Sequence, residues 1–140
     1  MKVWVICVAA TILCWGLYVP TLHAGQLALK KSGLHAFLFV GLAYFALAVL
    51  VPGTMVAATK SWDAFSVNGG VLATVAGALG ALGALGIIFA LRGGGHPLVI
   101  APLVFAGAPV VNAFTAMTLH PPQTKISPVF FLGCLLAAGG

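Results

Sequence analysis

The sequence predicts an all-α integral membrane protein: a bundle of four full transmembrane helices plus a short or truncated fifth. Three observations carry that expectation. Of 140 residues, 62% are hydrophobic and only 5% are charged, against about 25% charged in soluble domains. So few charges could not cover a folded surface in water, and the mean hydropathy is +1.19. The apolar residues form long runs separated by short polar patches, as in helices that cross a bilayer. The runs do not alternate polar and apolar at every second position, which argues against a β-barrel. The chain therefore reads as a multi-pass protein of a cell membrane, the inner membrane if the cell is bacterial, with the lipid bilayer as its first partner.

Residues 1–140 read as a single transmembrane domain with helices over about 3–29, 34–59, 68–91, 97–119 and 128–140. The first segment starts after Lys2 and ends at "KKSG", Lys30 to Gly33. Its outline resembles a secretory signal, but Leu22 and Ala24 stand where a cleavage site wants two small residues. Leu13 before Cys14 likewise spoils a lipoprotein site. The segment is read as a retained helix bent at Pro20. The second, "LHAFLFVGLAYFALAVLVPGTMVAAT", carries Pro52-Gly53 near its end. A polar patch, "KSWDAFSVNGG", precedes the third, and the loop "RGGGHP" leads into the fourth.

At about 1.5 Å per residue, some 20 residues cross the hydrocarbon core. The first four segments are long enough. The run from Val129 to Gly140 spans only about 18 Å, so it is either a stub or part of a chain that continues past residue 140. We favour the second reading.

The third segment contains "AGALGALGALG", residues 76–86, a short internal repeat with Gly77, Gly80, Gly83 and Gly86 at every third position. Small residues let helix backbones approach closely, and in lipid that approach drives pairing. The stripe is expected to pack helices within one subunit, or against a second subunit or a second half. The fourth segment carries Pro97, Pro102 and Pro109. Each interior proline removes a backbone hydrogen bond and bends the helix. In a bilayer the freed carbonyls must face protein or water. Asn112, Thr115 and Thr118 follow the bend, with Asn112 read as the one amide deep in a span. It either bonds another helix or touches a substrate.

The stretch "CWGLYVPTLHAG", residues 14–25, is the most unusual in the first segment. Trp and Tyr belong mainly to membrane interfaces, which suits Trp4, Trp62 and Tyr44. Trp15 and Tyr18 lie deeper, beside Gly16 and Pro20, and fit a cavity wall. His23 is either interfacial or a protonatable group.

Several function classes are excluded. Six basic residues at the ends of apolar spans form no phosphate-binding stripe, so no nucleic acid is expected. Cys7, Cys14 and Cys134 have no metal-ligand spacing and read as structural, with no metal and no cofactor. The single acid, Asp63, lies in a loop, so the intramembrane carboxylate of a proton-coupled cation exporter is missing. No Ser-His-Asp set, H-E-x-x-H or P-loop occurs, and no catalytic residue and no enzyme are expected. Orientation is undecided, because Lys2, Lys60 and Lys125 on one side balance Lys30, Lys31 and Arg92 on the other.

Together, "CWGLYVPTLHAG", "GALGALGIIFALRGGG" and "HPLVIAPLVFAGAPVVNAFTAM" give the chain its resemblance to the drug/metabolite transporter superfamily, in particular the EamA-type five-helix half. The shared pattern is a Trp-Gly in the first helix, a short loop after the third and a proline-bent fourth. The resemblance implies either half of a ten-helix protein with inverted repeats or a half-size homodimer, moving small solutes by alternating access around a midplane site. It implies that Trp15, Tyr18 and Thr21 face the cavity from the first helix and Asn112 from the fourth. With Thr115, these are the candidate substrate-binding residues. The chain departs from the small multidrug-resistance branch by lacking its first-helix glutamate, and a neutral polar metabolite suits the residues better than a cation. The alternative is a non-transporting structural or accessory subunit of a membrane complex.

Overall fold

Lys2, in extended backbone, opens the first helix, α1 (Val3–Ala28). The structure is a computed structural model that describes residues 2–123 and 126–139. Helix α1 runs unbroken through Pro20, whose missing N–H leaves the Gly16 carbonyl without its helical partner. Its end is a tight reversal. The Lys31 N–H donates to the Gln26 carbonyl at 2.7 Å and the Leu29 N–H to the Gly25 carbonyl at 3.0 Å. Lys30 and Lys31 both take left-handed backbone, with φ of 55° and 62°. Helices commonly end this way, but usually on glycine, because left-handed helical geometry costs other residues about 1–2 kcal/mol each.

The second span, Gly33–Thr59, is one continuous rod with a widened middle. It comprises α2 (Gly33–Phe45), a π-helical turn (Ala46–Leu50) and α3 (Val51–Thr59). The Val51 N–H reaches back five residues to the Ala46 carbonyl. Pro52 follows at once, and its ring would press on the carbonyl four residues earlier in a regular helix. The wider turn relieves that clash, a common origin of such bulges. Lys60, again left-handed at φ 53°, ends α3. A 3₁₀ turn, Trp62–Ala64, carries Asp63. Ser66 then caps α4 (Val67–Arg92), its Oγ accepting the Gly69 N–H at 3.1 Å, which satisfies one of the helix's open donors.

Helix α5 (Pro97–Leu119) starts on His96, whose Nδ1 accepts the Leu98 N–H at 3.2 Å. Pro97 occupies the first turn, where its missing N–H costs nothing. Pro102 and Pro109 lie inside α5 without ending it. Helix α6 (Pro128–Gly139) closes the described chain.

Among the described residues there is no strand. Among them four helices are long and apolar enough to cross a membrane, and a further one, over Pro128–Ala137, is apolar but shorter. The protein is thus an all-α chain of four full spans and a short fifth helix, as its composition predicts. Lys125 and Gly140, used above for charge balance and chain end, lie outside the described residues.

The helices form two compact units, 1–94 and 95–140. In the first, α1, α2 and α4 touch pairwise. The buried residues are Val19, Leu22 and Gln26 of α1, Gly33 and Ala36 of α2, and Ala84, Ile87, Ile88 and Leu91 of α4. They gather near the reversal after α1. In the second unit α5 packs on α6. At most 17% of any span's most apolar window is buried, which leaves broad apolar faces for lipid or further helices.

Within this chain the glycine stripe makes no close helix contact, and its expected packing against a second subunit or half is a matter for other chains. A Cβ added at Gly77, Gly80, Gly83 or Gly86 would meet nothing within 4 Å. Glycines three apart step round a helix of 3.6 residues per turn, so they cannot stay on one contact line. The packed line is instead Ala84, Ile88 and Leu91, four and three apart. The close approach is made by Gly33, where an added Cβ would stand 2.6 Å from Ile88 Cγ2.

Candidate functional site

Residues 14–25 do border a cavity. A groove of about 570 Å³ runs between α1 and α2, with Cys14, Tyr18, Thr21 and Gly25 on one side and Ala36, Phe39 and Ala43 on the other. The spacing of Cys14, Tyr18, Thr21 and Gly25 is four, three and four, one face of a helix. Small residues at Gly25, Ala36 and Ala43 leave the space, and leucines, Phe39 and Val40 make the walls apolar.

One polar atom in this wall stands out. The Tyr18 hydroxyl is buried and has no hydrogen-bond partner among the described residues. Burying a hydroxyl without a partner costs about 1–3 kcal/mol by protein mutational measures. Trp15 sits one turn back on α1, half exposed, and its ring lies 6.2 Å from that of Tyr18 at a tilt of 50°. Trp15 therefore braces Tyr18 rather than lining the groove itself. Thr21 lines the groove with an exposed side chain.

Asn112 and Thr115 belong to the second unit. Asn112 lines a cleft of about 460 Å³ between α5 and α6, with Pro109, His120 and Cys134 also on its wall. The Thr115 hydroxyl donates back to the Val111 carbonyl at 2.9 Å, and that of Thr118 to the Thr115 carbonyl at 2.8 Å. Such back-bonding satisfies a hydroxyl within its own helix. The amide deep in packed structure is Gln26, 5% exposed, whereas Asn112 is exposed. In the sequence Asn112 was singled out and Gln26 was not. Its signal was its spacing of four from Leu22 and seven from Val19, the two residues buried beside it.

His23 turns away from the Tyr18 groove. It lines a smaller pocket of about 390 Å³ with Gln26, Lys31 and Arg92, where α1 and α4 end. Cys7, Cys14 and Cys134 are unpaired thiols, and among the described residues no three of His, Cys, Asp and Glu come together. No protein-family model, curated protein or solved structure matches the chain.

Proposed function

We propose that this chain is a half-size secondary transporter, or one repeat of a larger one, that moves a small neutral polar metabolite by alternating access. The observation that supports this most directly is the buried, unpartnered Tyr18 hydroxyl in an otherwise apolar groove. A cargo hydroxyl or amide would supply its missing hydrogen bond, and an apolar wall with few polar groups is the usual make-up of a small-molecule site. Thr21 adds a second hydroxyl on the same wall. The groove offers no charge, which suits an uncharged cargo. A second half, or a second copy, would complete the transport path.

The test is uptake into proteoliposomes, using a panel of labelled neutral polar solutes. The wild type is expected to accumulate one class above protein-free vesicles. Thr21→Val, which removes the second hydroxyl of the groove wall, and Trp15→Ala, which removes the ring beside Tyr18, should each lower that uptake while the protein still elutes as a folded species. Normal uptake in both variants would take the groove out of the transport path, and no uptake of any solute would remove the transport reading.

The wide exposed faces of the spans also favour a second reading, an accessory subunit whose apolar surface is covered by an unrelated complex. Orientation separates the two. Reporters active on opposite sides of the membrane, fused after residue 140, should both give signal if the chain inserts both ways and pairs antiparallel. Signal from one side only, with co-purification of an unrelated membrane complex, would favour the accessory role.

A further inference from the structure

We propose that the pocket where α1 and α4 end is a binding site for a phosphate-type oxyanion, occupied in the membrane by the headgroup of an anionic phospholipid. Cargo binding in the Tyr18 groove plays no part in this inference. The pocket has a volume of about 390 Å³, with His23, Gln26, Lys31 and Arg92 as its polar residues and Leu27 and Leu91 as apolar ones. Lys31 and Arg92 are far apart in sequence and meet only because α1 and α4 pack along Gln26 and Ile88, where the Gln26 Nε2 donates to the Ile88 carbonyl at 3.5 Å.

Three features point to an anion. First, no acidic side chain accompanies these cations. Asp63 is the single acid of the chain, and it precedes the start of α4, a 26-residue helix about 39 Å long. Second, the helix ends do not cancel the charge. Each C-terminus carries only about half a negative charge, so α1 and α4 together offset one of the three cations Lys30, Lys31 and Arg92. Third, the His23 Nδ1 is buried and has no hydrogen-bond partner among the described residues.

The position selects the occupant. The pocket lies where two spans end, hence at headgroup depth, with leucines on its wall for the glycerol and first methylenes of a lipid. An arginine fork can hold two phosphate oxygens at once, and a lysine adds a compact charge. A free phosphate would share that chemistry without the leucine contacts.

The full-length protein in neutral detergent, titrated with phosphatidylglycerol or phosphatidylcholine and read by native mass spectrometry, tests this. The first phosphatidylglycerol should bind about tenfold or more tightly than the first phosphatidylcholine, given two basic side chains at the headgroup. Arg92→Gln and Lys31→Gly should each reduce that preference to about threefold or less. Lys31→Gly also relaxes the left-handed turn, so its loss of binding would not reflect misfolding. Lys2→Gln with Lys60→Gln, cations outside the pocket, should leave the preference intact. Inorganic phosphate up to millimolar levels should not displace the lipid. If phosphate does displace it and the pocket variants abolish that competition, the oxyanion site stands and its occupant is soluble. Equal binding of the two lipids by the wild type, or a preference that survives Arg92→Gln and Lys31→Gly, would overturn the site. Equal loss in the Lys2/Lys60 control would overturn it too, leaving only general surface charge.

Discussion

Gly33→Ala should destabilise the first unit by about 1–3 kcal/mol, the range for a methyl forced into packed structure. The added Cβ would stand 2.6 Å from Ile88 Cγ2 and 3.4 Å from the Gln26 Nε2. Ile88 is fully buried and β-branched, so its methyl has little room to swing aside. The clash would push α2 from α4 and stretch the long Gln26 contact to the Ile88 carbonyl. Ile88→Ala alone should cost about 2–5 kcal/mol, because it leaves a cavity that neighbours only partly fill. In the double variant the new methyl enters that cavity. The two changes should therefore fall short of additive by at least about 1 kcal/mol. Thermal unfolding of the four proteins in one detergent, followed by helical circular dichroism, measures this. Strict additivity would mean that Gly33 and Ile88 are not in contact.

Tyr18→Phe should lower uptake of the proposed cargo about tenfold while leaving the apo protein as stable or more stable. The two effects have one cause. Phenylalanine keeps the ring against Trp15, 6.2 Å away in the wild type, and removes only the hydroxyl that lacks a partner. Without cargo, losing an unsatisfied buried group costs nothing and can stabilise. With cargo, one hydrogen bond of about 1.4 kcal/mol is lost, which is a factor of ten. Proteoliposome uptake and thermal unfolding on the same preparations check both halves. Unchanged uptake would take Tyr18 out of the cargo site, whatever the stability shows.

Particular residues show how far sequence reading reached. The four long helices and the short last one were legible, since length and hydropathy are properties of contiguous residues. The groove-lining role of Tyr18 and Thr21 was also legible, because an aromatic and a hydroxyl near Gly16 and Pro20 are unusual in an apolar helix. Trp15 stands beside Tyr18, off the wall of this groove. The π-helical turn at Ala46–Leu50 was not foreseen, although Pro52 was in view and supplies its cause. The glycine repeat drew attention by its regularity, yet a period of three does not match the helical turn, so its four glycines do not share one contact line within this chain. Gln26 was not singled out in the sequence, and Lys31 and Arg92 were seen only as charges at the ends of spans.

By itself, the sequence determined the solvent in which this protein folds, the number and length of its spans and the places where prolines interrupt regular hydrogen bonding. Each follows from local composition, and none needs a neighbour. Tertiary structure alone decided which side of each helix is buried. These spans are apolar nearly all round, so hydrophobic periodicity does not mark an inward face. In lipid there is little hydrophobic force to turn one face inward, and helix rotation is set by close packing. That packing put Gly33 rather than the glycine repeat at the close approach, buried Gln26 rather than Asn112, and brought Lys31 beside Arg92.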